Sequence, residues 1–547
     1  MIVMISSSSS SRSCSSFGVD RNRCMKQKKK KEEEKKKKKV CSNSSEALLD
    51  DDDDDVNEKN INEEKVVRVA IIGSGFAGLA CANAIVSSSS SSSSGNDRGM
   101  KIEVTMFASE HAGIGGASAI AAGLLHSYTP KGQIMKYGRE GYTETLKLLK
   151  KAQSVERIML DPDLRVEGDM PRFSGERRRM DDLKVMGEMF REIGVLKPAR
   201  NEKEKRTIVK NVSLNESDDD NNIRFVERAE IEVLLRNKMN NRNNDDDVNN
   251  SCGFYVENGI VVDAKRYLQA LKVLIEFEAA KRASTRSFKF IKKSIENLQK
   301  DVLDDENFDK VIVCAGAELF KKGFLDDDLR DEILRSREYD LELQGGQALV
   351  LRKSNVFSKD DDDSSTSKWE MPGILGSHYL SPYQRERAMF GPTKERDEDE
   401  ETLAIKASTA GYKDKSDENK GTIEYLLNDL NEKVLPSNDD EIAGACSAFT
   451  IKDVEKIAYG VRVNSKRSPE GRFPKIIIVR RVGASGDHKS TGRKKAQKRL
   501  LVVTALGARG LLYHALLGTF VHRLLFNTDL RSSSSSSNET VVPKDFL

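Results

Sequence analysis

The chain has 547 residues, 37% of them hydrophobic and 33% charged, with 91 lysines and arginines against 88 aspartates and glutamates. That balance excludes a collagenous or fibrous chain, and a net charge of +3 makes no case of its own for nucleic-acid binding. Seven scattered cysteines, none in a CxxC pair, argue against a disulfide framework and against a zinc site.

Residues 1–65 read as an extension. The first 31 are rich in serine and basic residues, with Asp20 the single acid, which is the composition of an organelle transit peptide. A plastid location is therefore expected, with the cytoplasm as the alternative. The run KQKKKKEEEKKKKK at 26–39 and the aspartates at 50–55 are solvated charge clusters. Single-residue runs at 87–94, 360–363 and 532–537 bury too little apolar surface to order themselves, so they read as insertions and a flexible tail at 531–547.

Folded structure is expected from Val66. Val66-Val67-Arg68-Val69-Ala70-Ile71-Ile72 has the apolar, β-branched character of a strand buried on both faces of a parallel sheet. It runs into Gly73-Ser74-Gly75-Phe76-Ala77-Gly78 and then into helix-forming Leu79-Ala80-Cys81-Ala82-Asn83-Ala84. GxGxxG between a strand and a helix is the dinucleotide fingerprint. Gly73 allows the tight turn, Gly75 admits a pyrophosphate, and Gly78 lets the helix pack against the strand. A second strand is expected at 102–107. The acid that takes the ribose hydroxyls belongs about 20 residues beyond the fingerprint. Ala108, 30 positions beyond Gly78, falls there once the serine run is discounted, and Glu110 is the substitute.

Three later segments suit close approach to a flat, polar ligand. Residues 113–125 are mostly small and include Gly116, Ala117 and Ser118. Residues 308–317 form a short buried strand ending in Ala315-Gly316. Residues 501–510 form a strand that turns through Gly507-Ala508-Arg509-Gly510 into an apolar helix. Helix N-termini and glycine turns favour a phosphate or a flavin carbonyl. Arg509 and His514 interrupt the apolar stretch 500–526, so it reads as a buried strand and helix and not as a membrane span.

Together these motifs resemble the FAD-dependent oxidoreductases of the D-amino-acid oxidase superfamily. The loop 116–125, continued through His126-Ser127-Tyr128-Thr129-Pro130-Lys131-Gly132, is similar to the oxidase domain of the bacterial bifunctional enzyme that modifies the tRNA wobble uridine, and to its plant and cyanobacterial relatives. The resemblance implies an α/β fold. A discontinuous Rossmann-like FAD-binding domain with a mostly parallel sheet would use residues 66–191, 223–324 and 460–526. A mixed antiparallel substrate domain would use 342–458. It implies FAD, held by Gly73, Ser74, Gly75, Phe76, Ala77, Gly78, Glu110, Gly116, Ala117, Ser118, Ala315, Gly316, Gly507, Ala508, Arg509 and Gly510. It also implies oxidation of a C–N bond in a small amine or amino-acid-like substrate, with dioxygen as electron acceptor. A modified tRNA base enters the substrate candidates through the resemblance alone.

The same resemblance names two residues for the substrate. Ala458-Tyr459-Gly460-Val461-Arg462-Val463 is similar to the strand whose arginine grips a substrate carboxylate, a task suited to a planar, bidentate fork. Alternation places Val461 and Val463 in the core and Arg462 towards the flavin, with residues 476–479 as the expected hairpin partner. Tyr379, in a strand antiparallel to 388–391, is the candidate pocket hydroxyl. His126 and Lys131 belong to the flavin-facing loop, His514 to a packed helix, and Cys446 is a minor candidate for a covalent flavin anchor. Two other readings stand beside this one. One is a degenerate nucleotide-binding protein without turnover, motivated by Ala108; the other is a NAD(P)-dependent dehydrogenase, resting on the fingerprint alone.

Overall fold

In the computed structural model the described residues are 65–88, 100–160, 188–215, 222–235, 252–305, 307–335, 339–352, 369, 371–395, 398–416, 419–431, 449–467, 471–480, 499–526 and 542–547. Strand β1 (Val66–Ile72) lies between β2 (Lys101–Ala108) and β10 (Lys310–Val313) and is parallel to both. The sheet extends through β9 (Arg286–Lys292) beyond β2 and β18 (Arg499–Thr504) beyond β10, again in parallel. An antiparallel edge strand, β17 (Lys475–Arg480), completes the order β17-β18-β10-β1-β2-β9.

Strands β1, β10 and β18 are near-continuous apolar runs because both faces are covered, while β2 alternates, with Glu103 and Thr105 half-buried. On one face lie α1 (Phe76–Ser87), α3 (Gly138–Leu160), α4 (Ala264–Lys281) and α5 (Gly510–Phe526), whose apolar side chains form one large cluster with β1 and β2. The short α2 (Gly116–Ala119) lies between α1 and α3 in the chain. The Asp263 side chain caps α4 by accepting the Arg266 backbone N–H at 3.1 Å, as the sequence suggests. On the other face Ala70, Ile72, Val311 and Val502 pack with Leu319, Phe320, Val461 and Val463.

A second sheet has the order β15-β16-β11-β14-β13-β12-β5-β7-β6. Its strands are β5 (Val195–Pro198), β6 (Ile223–Glu227), β7 (Cys252–Val256), β11 (Glu342–Arg352), β12 (Gly373–Leu375), β13 (Tyr379–Ser381), β14 (Arg387–Gly391), β15 (Gly411–Lys413) and β16 (Val454–Asn464). Every neighbouring pair is antiparallel apart from β12 with β5. A small three-stranded sheet, β3 (Leu124–Leu125), β8 (Ile260–Val262) and β4 (Phe190–Arg191), stands beside them.

The α/β class with a parallel-rich sheet and a mixed antiparallel sheet is as expected, but two boundaries and one strand pairing differ. Residues 223–324 do not travel as one FAD-binding segment: β6 and β7 pair with each other and with β5 in the nine-stranded sheet, and only α4, β9 and β10 return to the parallel one. The third FAD-binding segment does not begin at Gly460, which lies inside β16. Residues 476–479 are not the hairpin partner of Arg462's strand; β17 pairs with β18, while β16 runs between β11 and β15. Alternation within a strand shows which side chains share a face, but not which strand lies alongside. Among the described residues no helix is long and apolar enough to cross a membrane, and 500–526 forms a strand and a helix as expected.

Candidate active site

Parallel strands deliver their C-terminal ends to one edge of the sheet, which is where open α/β sheets bind ligands. Here the turns after β1, β10 and β18 meet the small-residue segment and one face of β16 around a cavity of about 720 Å³. Gly73, Ser74, Gly75, Phe76, Ala77, Glu110, Gly116, Ala117, Ser118, Ala315, Gly316, Gly507, Ala508, Arg509, Gly510, Tyr379 and Arg462 all line it. Gly78 does not. A Cβ at Gly78 would stand 1.9 Å from the Gly73 carbonyl oxygen, so this glycine seats α1 on β1.

The cofactor end is built from backbone. Gly73 has a φ of +102°, and a Cβ there would meet the Cys314 carbonyl oxygen at 2.4 Å. The N-termini of α1 and α5 both open on the cavity, each with the partial positive charge that suits an anion. The Phe76 backbone N–H donates to Ser118 Oγ at 3.2 Å, fastening α2 onto the fingerprint. The Phe76 ring itself is buried against His514 and Tyr267, so its part in the site belongs to its main chain. At Gly116 and Gly316, both at positive φ, nothing lies within 4 Å of where a Cβ would stand. A cradle of close turns, open amides and two helix N-termini fits a flavin dinucleotide.

The adenosine end is less regular. Ala108 closes β2 and leaves 7% of its surface exposed. Glu110 lines the same wall, but its carboxylate lies 2.8 Å from Lys292 Nζ, with 48% of its side chain exposed. The hydrogen bond from that ammonium holds the Glu110 carboxyl below the usual carboxylate range.

The substrate end is built from side chains. Val461 and Val463 are buried at 3% and 5% exposure, and Arg462 lies on the opposite face of β16, towards the cavity. Its Nε and Nη2 donate to Gln344 Oε1 at 3.1 and 2.9 Å, and Asn464 Nδ2 donates to the same oxygen at 3.3 Å. Gln344 stands opposite Arg462 in the β11–β16 register, and Asn464 forms a backbone bridge with Leu506. The end of the substrate strand is thereby tied to the turn at 507–510. Tyr379, Leu375 and Met389 contribute a mixed polar and apolar wall.

His126 also lines the cavity. Its Nδ1 accepts the Tyr128 backbone N–H at 3.3 Å, so the neutral ring carries its proton on Nε2. Burial, reinforced by the positive charge of Arg509, pushes its pKa down to about 4. Arg509 lies across Gly471, whose φ is +119°, and donates through Nη1 to the Arg472 carbonyl at 3.4 Å. Lys131, expected beside the flavin, is not among the cavity residues, and its carbonyl accepts from Asn211 Nδ2. His514 is a packed helix residue: its Nδ1–H donates to Leu511 O at 2.9 Å and its Nε2 accepts from the Tyr267 hydroxyl at 2.8 Å. Cys446 lies outside the described residues. Sequence reasoning missed Gln344, Glu318, Lys394, Arg467 and Arg472 as cavity residues. Of these, Glu318 carried a signal, two residues beyond the Ala315-Gly316 turn. Among the described residues no group of histidine, cysteine or acidic side chains could hold a metal ion.

Solved structures with similar folds include an iminodiacetate oxidase from Chelativorans sp. BNC1, 16% identical, covering 84% of this chain and 95% of that one at a TM-score of 0.47. A glycine oxidase from Geobacillus kaustophilus is 14% identical, with coverage of 84% and 95% and a TM-score of 0.44. An L-alpha-glycerophosphate oxidase from Mycoplasma pneumoniae, solved with FAD bound, is 14% identical, with the same coverage and a TM-score of 0.45. No curated protein matches the sequence. The family model described as FAD dependent oxidoreductase matches residues 68–523, a span that runs from within β1 into α5 and holds every wall of the cavity. The chain therefore belongs to the DAO family of FAD-dependent oxidoreductases.

Proposed function

We propose that the chain oxidises the C–N bond of a small amine or amino-acid-like substrate that carries a carboxylate, with dioxygen as the final electron acceptor. The observation that carries this reading is Arg462. Its guanidinium stands on the cavity face of β16, with Nε and Nη2 held by the Gln344 side-chain oxygen, which fixes the orientation of the fork. A carboxylate can then dock on it in bidentate fashion.

FAD, when bound against residues 73–77, 116–118, 315–316 and 507–510, supplies the acceptor for the hydride that leaves the carbon next to nitrogen. The chain's own part is placement. Arg462 fixes the carboxylate, and Leu375, Met389 and Tyr379 close the wall around the rest of the substrate. Holding a reactant in one orientation lowers the barrier by several kcal/mol. His126, neutral around pH 7, offers a hydrogen-bond donor without bringing a second positive charge against the amine.

The test is anaerobic bleaching of the flavin absorbance by a panel of glycine-like amines, N-methyl amino acids and the amine-bearing tRNA base that the loop 116–132 brings into consideration. A carboxylate-bearing amine should bleach it, with a KM that rises in Arg462→Lys. Bleaching by a hydroxy acid or an alcohol phosphate, with every amine inert, would reject the C–N assignment.

A further inference from the structure

The adenosine half of a dinucleotide needs a hydrogen-bond acceptor, and the residue that ordinarily provides one at the end of β2 is here Ala108. We propose that Glu318, on the helical turn after β10, takes over that role. The inference rests on the family's cofactor and is independent of the substrate reading.

Three elements that line the cavity are tied to one another by a hydrogen bond and a shared apolar cluster. The Lys293 backbone N–H donates to the Ala108 carbonyl at 2.8 Å, joining the end of β9 to the end of β2. Ile295, two residues further on, packs in one cluster with Phe107, Ala317 and Leu319. Phe107 precedes Ala108, and Ala317 and Leu319 flank Glu318, which lies in the turn Gly316–Phe320. Ala108, Glu110, Lys293, Ile295 and Glu318 all line the cavity.

Two of these lining residues carry carboxyl groups, and their surroundings differ. Glu110 is engaged by Lys292 in a half-exposed ion pair. Glu318 is half-buried, and its nearest cation in sequence, Lys321, is held by Glu296 at 2.5 Å. Burial raises the Glu318 carboxyl above its usual range; the attraction of Lys321 opposes this and the charge of Glu296 adds to it. A poorly solvated carboxylate gains more than an exposed one from new donors. The adenosine half offers three groups that donate: two ribose hydroxyls and an exocyclic amine.

The full-length apoprotein, stripped of flavin, is titrated with FAD and with FMN while flavin fluorescence is followed. FMN carries the same ring, ribityl chain and first phosphate but no adenosine. Glu318→Gln should weaken FAD about 10-fold or more, the size expected for loss of charged hydrogen bonds, and leave FMN unchanged. Adding Ala108→Glu to that variant should restore most of the FAD affinity by returning a carboxylate to the usual place. Unchanged FAD binding in Glu318→Gln, or an equal loss for FAD and FMN, would overturn the assignment.

Discussion

The two large sheets contribute to one cavity in opposite ways. The parallel sheet offers main chain: turns at 73–78, 315–316 and 507–510, helix N-termini, and glycines whose missing Cβ atoms leave room. The antiparallel sheet offers side chains from the middle of strands, with Arg462 of β16 set against Gln344 of β11, 118 residues away. A main-chain site works only if the backbone comes very close, so it tolerates almost no change at a few positions. A side-chain site works only if strands pair in one register, so its residues are replaceable singly without loss of the fold. The lesson is that cofactor binding and substrate choice should fail independently in this chain.

The largest effect should come from Gly78→Ala. The new Cβ would collide with a backbone carbonyl at 1.9 Å, which no side-chain rotation relieves. A loss of ~3 kcal/mol or more is expected, with melting temperature and flavin content falling together. A Gly78→Ala protein that melts normally and retains FAD would break the contrast on the main-chain side. Next comes Arg462→Ala, which should raise KM for a carboxylate-bearing amine by roughly 30- to 100-fold, the equivalent of about 2–3 kcal/mol. Flavin stoichiometry and melting temperature should stay at wild-type values; if either falls, the two sheets do not fail separately.

The pH dependence of stability sharpens the contrast further, because His514 belongs to the core behind the cofactor and not to the cavity. Burial depresses its folded-state pKa to about 4, against an ordinary value of 6.5. The unfolded chain therefore binds the proton more readily. The stabilisation is complete above pH 6.5 and is lost as pH falls from there towards 4, by about 3 kcal/mol for this one ring. Urea midpoints measured between pH 7 and pH 4.5 should fall less steeply in His514→Gln. His126, with its pKa also near 4, adds a limb of the same sign that the variant retains. An identical slope in both proteins would mean that water reaches the ring. The smallest effect should follow Ser118→Ala. It leaves the Phe76 N–H without its acceptor, at about 1 kcal/mol, and should raise the FAD dissociation constant a few-fold.

What could be read in the sequence follows the same division. Gly73 and Gly78 are legible because only glycine fits their spaces, and Gly75 falls between them in a spacing set by one turn. The same holds for the runs that became β1, β10 and β18, whose burial on both faces leaves few polar positions to blur the pattern. Tyr379 and Arg462 were placed correctly on strands by alternation and resemblance. The wrong partner for β16 shows the limit, since β17 has an equally apolar sequence and lies closer along the chain than β11 does. Gln344 has a role that depends on being opposite Arg462, which no local pattern states. Ala108 was visible as a gap, but Glu318 follows from the packing of Phe107, Ile295 and Ala317 in space.

Gln344 has a consequence of its own. Its side-chain oxygen serves three donors from Arg462 and Asn464 while adding no charge to the cavity. A glutamate of the same shape would hold those donors more tightly, and for that reason would occupy the guanidinium much as a substrate carboxylate does. The chain would then carry a built-in competitive inhibitor. Gln344→Glu is accordingly expected to give a stable flavoprotein with weak substrate binding, a large functional change from the exchange of one amide nitrogen for oxygen.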